Sequence, residues 1–260
     1  MRTSPLYIQD IIVISIIYLA TILSPQALTR LSPLVLDALF FAVPSLYLIV
    51  RQKKNLPKII LATVFIGLLT ASMDIYLLHA HAWEPYKTNF SWRILGSPPE
   101  ELLWFFLHVF YIIVFYEHFM DDELVVRASP RTKQLFIVSA FALATSLSLV
   151  TFLGDASRIR YAYLTVGAIT MLPILFYLLF THARFVKKLA PFVIYFFLYT
   201  FIMEIQAVRF GLWSFADTQN YIGLITLFGA TFPVEEVLFW MMASPLVAIV
   251  YYEFFIDDTH

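Results

Sequence analysis

Two glutamate pairs carry the clearest chemical signal in the chain. Pro98-Pro99-Glu100-Glu101 and Pro233-Val234-Glu235-Glu236 each set a proline and two carboxyl groups at the head of an apolar, aromatic run. Upstream of each pair stands another acid, Asp74 or Glu204, followed nine residues later by a tryptophan, Trp83 or Trp213. A carboxyl group beside hydrocarbon can give a proton to a reacting group or take one from it. A helix N-terminus favours the carboxylate, whereas burial and a like-charged neighbour favour the acid form, and only the acid form is a donor. The bland alternative is that proline and glutamate merely start helices. Recurrence of the whole arrangement, with its upstream acid and tryptophan, favours the chemical reading. Adjacent helical residues point about 100° apart, so one glutamate of each pair can face a cavity while its neighbour orients it. Trp83, Trp104, Phe105, Trp213, Phe239 and Trp240 cluster near these acids in sequence. Each alone reads as packing or as an interfacial belt; together, rings beside buried acids would stabilise a carbocation through their π faces.

Other polar marks point elsewhere. His79 and His81 are two residues apart and do not face one way on a helix, so they read as no metal site. Asp121-Asp122 and Asp257-Asp258 are placed at helix ends away from the other acids and read as solvated interfacial charge. No glycine-rich phosphate loop occurs, which leaves no cofactor indicated. The chain has no cysteine, excluding disulfides and thiol chemistry. Its 17 basic residues are scattered, so no nucleic-acid partner is expected.

The elements that must position these acids follow from composition. Of 260 residues, 61% are hydrophobic and 13% charged, against about 45–50% and about 25% in a soluble domain. The expected class is an all-α, polytopic membrane helix bundle. Eight apolar stretches run from Tyr7 to Leu23, Pro33 to Val50, Lys58 to Leu78, Glu100 to Met120, Gln134 to Leu153, Tyr161 to Phe180, Ala190 to Phe210 and Pro233 to Phe255. Each is near the about 20 residues a transmembrane helix needs, and none alternates as a barrel strand does. Asp10 makes the first the weakest; no small-residue cleavage site follows it, so it reads as a span rather than a leader. Pro44 and Pro173 should kink their helices. Eleven Lys and Arg fall on one side and six on the other, which makes both termini cytoplasmic in a cell membrane.

The chain also repeats itself. The marks Asp74, Trp83 and Glu100-Glu101 return as Glu204, Trp213 and Glu235-Glu236, and "FYEHFMDD" at Phe115–Asp122 returns as "YYEFFIDD" at Tyr251–Asp258. Two membrane repeats, residues 1–126 and 127–260, of four helices each are expected. An even helix number makes them parallel, related by rotation about the membrane normal. Sixteen residues separate Lys58 from Asp74, about 24 Å of helix in a core about 30 Å thick. Asp74, Glu204 and both glutamate pairs should therefore gather at one level, deep toward the outer leaflet, where ionisable groups usually mark function.

Tandem units that each carry an acid, a tryptophan, a loop and Pro-x-Glu-Glu resemble the lycopene cyclases of the heterodimeric bacterial type, which occur fused in archaea and fungi. The match rests on Pro98 to Glu101 and Pro233 to Glu236, supported by Asp74, Trp83, Glu204 and Trp213; the short loop after Trp83 departs from it. The resemblance implies a redox-neutral lycopene β-cyclase: a carboxyl group protonates the terminal double bond of lycopene, the cation closes a ring, and a base removes a proton. It implies catalytic roles for Glu100, Glu101, Glu235, Glu236, Asp74 and Glu204, a carotenoid substrate within the bilayer, and as partners other carotenoid-pathway enzymes or a second copy of the chain. The sequence leaves open a related end-group cyclase (ε or γ rings, C50 chains), a carotenoid hydratase and a proton-coupled transporter. A retinal-type receptor would need a lysine in the last helix, and Pro233 to Phe255 holds none.

Overall fold

The computed structural model describes residues 5–23, 32–51, 56–120, 130–153, 160–181, 183–215, 220–242 and 244–255. Continuous apolar runs of this length favour helix, and eight helical segments form among these residues. They are α1 (Pro5–Ile22), α2 (Pro33–Arg51), α3 (Leu56–His79), α4 (Pro99–Phe119), α5 (Pro130–Leu153), α6 (Ala162–Thr170 and Leu172–Thr181), α7 (Ala183–Arg209) and α8. The last passes from a π-helical turn at Glu236–Trp240 into Ser244–Phe255. Four of them are long and apolar enough to cross a membrane: α2, α3, α4 and the Leu189–Arg209 part of α7.

Helix boundaries depart from the apolar stretches where the chain is basic. α5 starts at Pro130 rather than Gln134, and α7 at Ala183 rather than Ala190, leaving Pro191 inside the helix. Lys and Arg are good helix formers, so their charge marks depth in a membrane rather than the end of a helix. Asp121, Asp122, Asp257 and Asp258 lie outside the described residues, as does most of the junction from Val125 to Lys133.

The other two prolines lie at irregular turns of their helices. α6 breaks at Met171, two residues before Pro173, whose missing N–H removes a helical bond. Pro44 follows a π-helical turn at Ala38–Ala42. It offers no N–H to the Phe40 carbonyl, and the Tyr199 hydroxyl of α7 donates there instead. Asp10, the awkward residue of the first stretch, is buried and accepts from three donors. They are Tyr47 Oη at 2.7 Å, Arg51 Nε at 2.9 Å and His118 Nε2 at 2.8 Å. A carboxylate so paired ties α1 to α2 and α4.

α4 is the centre of the bundle, packing on α2, α3 and α8. From Tyr111 to Phe119 every residue is buried. Its rings interleave with those of α7: Phe115 stacks on Tyr195 at 4.6 Å, and the Tyr111 and Tyr195 hydroxyls are 2.6 Å apart. Tyr251 of α8 donates to Glu117 of α4 at 2.5 Å, so the two copies of the repeated phrase touch.

Short strands, which the apolar pattern does not announce, close one end. β1 (Glu84–Pro85) pairs antiparallel with β2 (Trp213–Ser214), Glu84 opposite Ser214 and Pro85 opposite Trp213. β3 (Leu224–Leu227) and β4 (Ala230–Pro233) form a hairpin. Its turn residues, Phe228 and Gly229, have φ of 52° and 79°, and Leu95 and Gly96, at 50° and 86°, turn the Ile94–Ser97 bridge in the same way. Two successive positive φ values make the tight turn that matches strand twist. α3 and α7 also end alike. Ala82 N bonds the Leu77 carbonyl and His81 N that of Leu78; Leu212 N bonds Ala207 and Gly211 N bonds Val208. His81 (φ 52°) and Gly211 (φ 63°) hold the left-handed position of this cap.

Candidate functional site

The acids anticipated at one level divide into two sets with different surroundings. Asp74 of α3, Glu101 of α4, Glu204 of α7 and Glu236 of α8 line one cavity of about 490 Å³. Trp83, Trp104, Phe105, Trp213 and Trp240 line it with them. Glu100 and Glu235 do not. Their helices turn them the other way, onto the loop that precedes each helix. Glu100 Oε1 accepts from the backbone N–H of Asn89 and, at 3.4 Å, of Phe90; Glu235 Oε1 accepts from Ile222 N at 2.5 Å. The first glutamate of each pair therefore fixes a loop, and the second faces the cavity. This is the split that a rotation of about 100° per residue allows.

The cavity is placed by helix ends. Glu101 sits in the first turn of α4, behind Pro98 and Pro99. Glu236 begins the π turn of α8, just past the strand that ends at Pro233. Asp74 and Glu204 come from the last turns of α3 and α7, and the left-handed caps swing Trp83 and Trp213 back against them. Trp213 Nε1 donates to Glu204 Oε1 at 2.7 Å. Trp83 stands beside Asp74 in the same way, with a looser contact: among the described residues its Nε1 makes no close hydrogen bond. Glu236 Oε2 and Trp104 Nε1 are unpartnered in the same sense. All four cavity carboxyls are at most 7% exposed. Among the described residues no lysine or arginine lines the cavity.

Phe239 is not part of this wall. It lies on Gly167 of α6, where an added Cβ would come within 2.4 Å of the ring. Tyr163 of α6 and Phe215 after β2 supply lining rings that the sequence does not single out, and Thr200 of α7 adds a hydroxyl side chain. Tyr163 stands beside Glu236. No motif marks it, since α6 carries no acid. A further buried carboxyl, Asp37 of α2, lies within electrostatic reach of Glu100 and Glu101, with Oδ2 unpartnered among the described residues. Its signal was an acid inside an apolar stretch, the same signal that Asp74 gave.

His79 and His81 do not converge. His79 Nδ1 meets the Ile75 carbonyl of its own helix at 2.8 Å, and His81 is the left-handed residue of the α3 cap. Among the described residues no three His, Asp or Glu side chains are grouped to hold a metal ion.

Chemically, the arrangement is a small, partly open space with several carboxyl groups and aromatic walls. Such a space can pass a proton to an apolar guest, shield a carbocation from water and take a proton back. Compared with known proteins, the chain matches no family model, no curated protein and no solved structure.

Proposed function

We propose that this chain is a multi-pass membrane enzyme that cyclises the linear ends of lycopene to β-ionone rings without redox change. The observation that carries the reading is the convergence of Asp74, Glu101, Glu204 and Glu236 on one cavity walled by tryptophan and phenylalanine. Glu101 or Glu236 gives its proton to the terminal double bond. The resulting cation is attacked by the next double bond within reach, which forms the ring carbon–carbon bond and moves the charge into the ring. A carboxylate of the facing set, Asp74 or Glu204, removes a ring proton to leave the product double bond. One proton enters and one leaves, so the product is an isomer of the substrate. Trp83, Trp104, Trp213 and Trp240 stabilise the cation, and Glu100 and Glu235 hold the loops that close the cavity.

The same reading takes all eight helices as spans, arranged as two parallel halves with cytoplasmic termini. Matched caps at His81 and Gly211, matched turns at Leu95-Gly96 and Phe228-Gly229, and matched loop anchors at Glu100 and Glu235 support two related halves. A lipid-facing surface is supported by Ile8, Ile12, Ile16 and Leu19, all at least 50% exposed along one face of α1.

The test is conversion of lycopene by purified protein in detergent, with no added flavin or nicotinamide and no ion gradient. Ringed products under these conditions support the cyclase and remove the proton-coupled transporter, which needs a gradient to do work. Unchanged lycopene overturns the reading. A hydroxylated acyclic product would keep the cation step and assign water, not a ring bond, to its capture.

A further inference from the structure

We propose that a second, apolar groove beside the carboxylate cavity holds the unreacted polyene tail of the substrate, with Trp240 dividing tail from reacting end. The inference rests on the cyclase reading above and assigns a subsite to it. The groove, about 520 Å³, lies between α3, α5, α6 and α8, and Trp240 lines both spaces. α3 serves both as well: Met73 faces the groove and its neighbour Asp74 the cavity. Trp240 is held edge-on by Phe105 and Tyr163, each with ring centres 6.3 Å away.

The chemistry of the groove is that of hydrocarbon. Of its three hydroxyl side chains, Thr70, Ser139 and Thr170, the two threonines turn onto their own helices: Thr70 to the Ile66 and Gly67 carbonyls at 3.1 and 3.0 Å, Thr170 to that of Val166 at 2.6 Å. Among the described residues no charged side chain lines it. Half-buried Thr70, Ala140 and Leu246 lead from it to the outer surface, where Leu68 and Phe141 are exposed. Helix breaks bound it on two sides, at Met171 of α6 and just after Trp240 in α8, and such irregular turns recur at functional sites. A linear C40 chain with one end among the acids must run on beyond that cavity, and the groove adjoins it across Trp240.

Filling the groove tests this. Ala140→Phe and Leu246→Trp narrow it from two helices; Ile137→Phe adds similar bulk to the exposed face of α5. Lycopene retained by the purified protein is read by absorbance, and ring formation by steady-state kinetics. A tail site gives binding that is equal in ground and transition states. Both filling variants should then raise KM for lycopene at least about ten-fold, lower retained pigment in parallel and leave kcat near wild type, while Ile137→Phe changes neither. Ala140→Val keeps the series readable where a larger residue disturbs the bundle, with a smaller rise in KM. Wild-type KM and retention in the filling variants overturn the proposal, as does a fall in kcat alone or equal loss in Ile137→Phe. A wild-type protein that retains lycopene through the groove yet forms no ring sinks the cyclase reading and leaves the groove standing. One that neither retains nor converts lycopene ends both.

Discussion

At the scale of single residues, the two members of each glutamate pair do different work, and substitution separates them. Glutamine keeps the shape and an acceptor oxygen but carries no transferable proton. Glu101→Gln and Glu236→Gln should therefore stay folded, with at least one of them losing about 10²–10⁴-fold in ring formation. Glu100→Gln and Glu235→Gln keep an acceptor for Asn89 and Ile222 and should retain most turnover. Glu100→Ala removes that acceptor and leaves backbone N–H groups unpaired, at about 1–3 kcal/mol, read as a lower Tm in detergent. The two tryptophans differ in the same testable way. Trp213→Phe strips Glu204 of an indole donor at 2.7 Å, whereas the Trp83 indole beside Asp74 makes only a looser contact. Trp213→Phe should cost about 1–3 kcal/mol in stability and Trp83→Phe distinctly less; equal losses would refute the asymmetry. The sequence marks all six acids, because carboxyls are rare in apolar runs. Which ones face the cavity depends on helix rotation, which neighbouring residues in a string do not encode. Tyr163, a ring among 41 Phe and Tyr residues, carries no mark at all.

At the scale of elements, the helices are legible as apolar lengths, and their irregularities are not. A π turn inserts one residue without any composition signal, and those at Ala38–Ala42 and Glu236–Trp240 each re-aim the chain that follows. The signal that was present and easily passed over is Leu95-Gly96 and Phe228-Gly229, a residue and a glycine shortly before each glutamate pair. Pro44 shows how a helix defect is satisfied from outside: it cannot donate to the Phe40 carbonyl, and Tyr199 does so. Tyr199→Phe should lower stability by about 0.5–1.5 kcal/mol. Pro44→Ala returns a backbone donor at that turn, so the double variant should lose less than Tyr199→Phe alone. Additive losses in this cycle, measured by thermal unfolding in detergent, would show that the tyrosine does not serve the proline defect.

At the scale of the whole molecule, each half of the chain brings two carboxyls to a common cavity: Asp74 and Glu101 from the first, Glu204 and Glu236 from the second. The sequence shows that the marks recur. It does not show whether each half encloses its own site, because that depends on how the halves are turned toward each other. With one shared cavity, residues 1–126 and 127–260 produced as separate chains should be inactive alone and form rings from lycopene when produced together. Ring formation by either half alone would place a complete site within it.

The β1–β2 ribbon has a local symmetry. Glu84 and Ser214 follow Trp83 and Trp213, so equivalent positions of the two halves lie opposite each other. A strand that pairs with its own counterpart is the mark of an isologous contact, the kind two identical subunits make across a two-fold axis. A self-matching surface of this sort needs no second design, only a second copy. Within one chain the two sides of such a contact need not be identical: His81 holds the cap position that Gly211 holds in α7, and Asp74 lines the cavity from α3 as Glu204 does from α7.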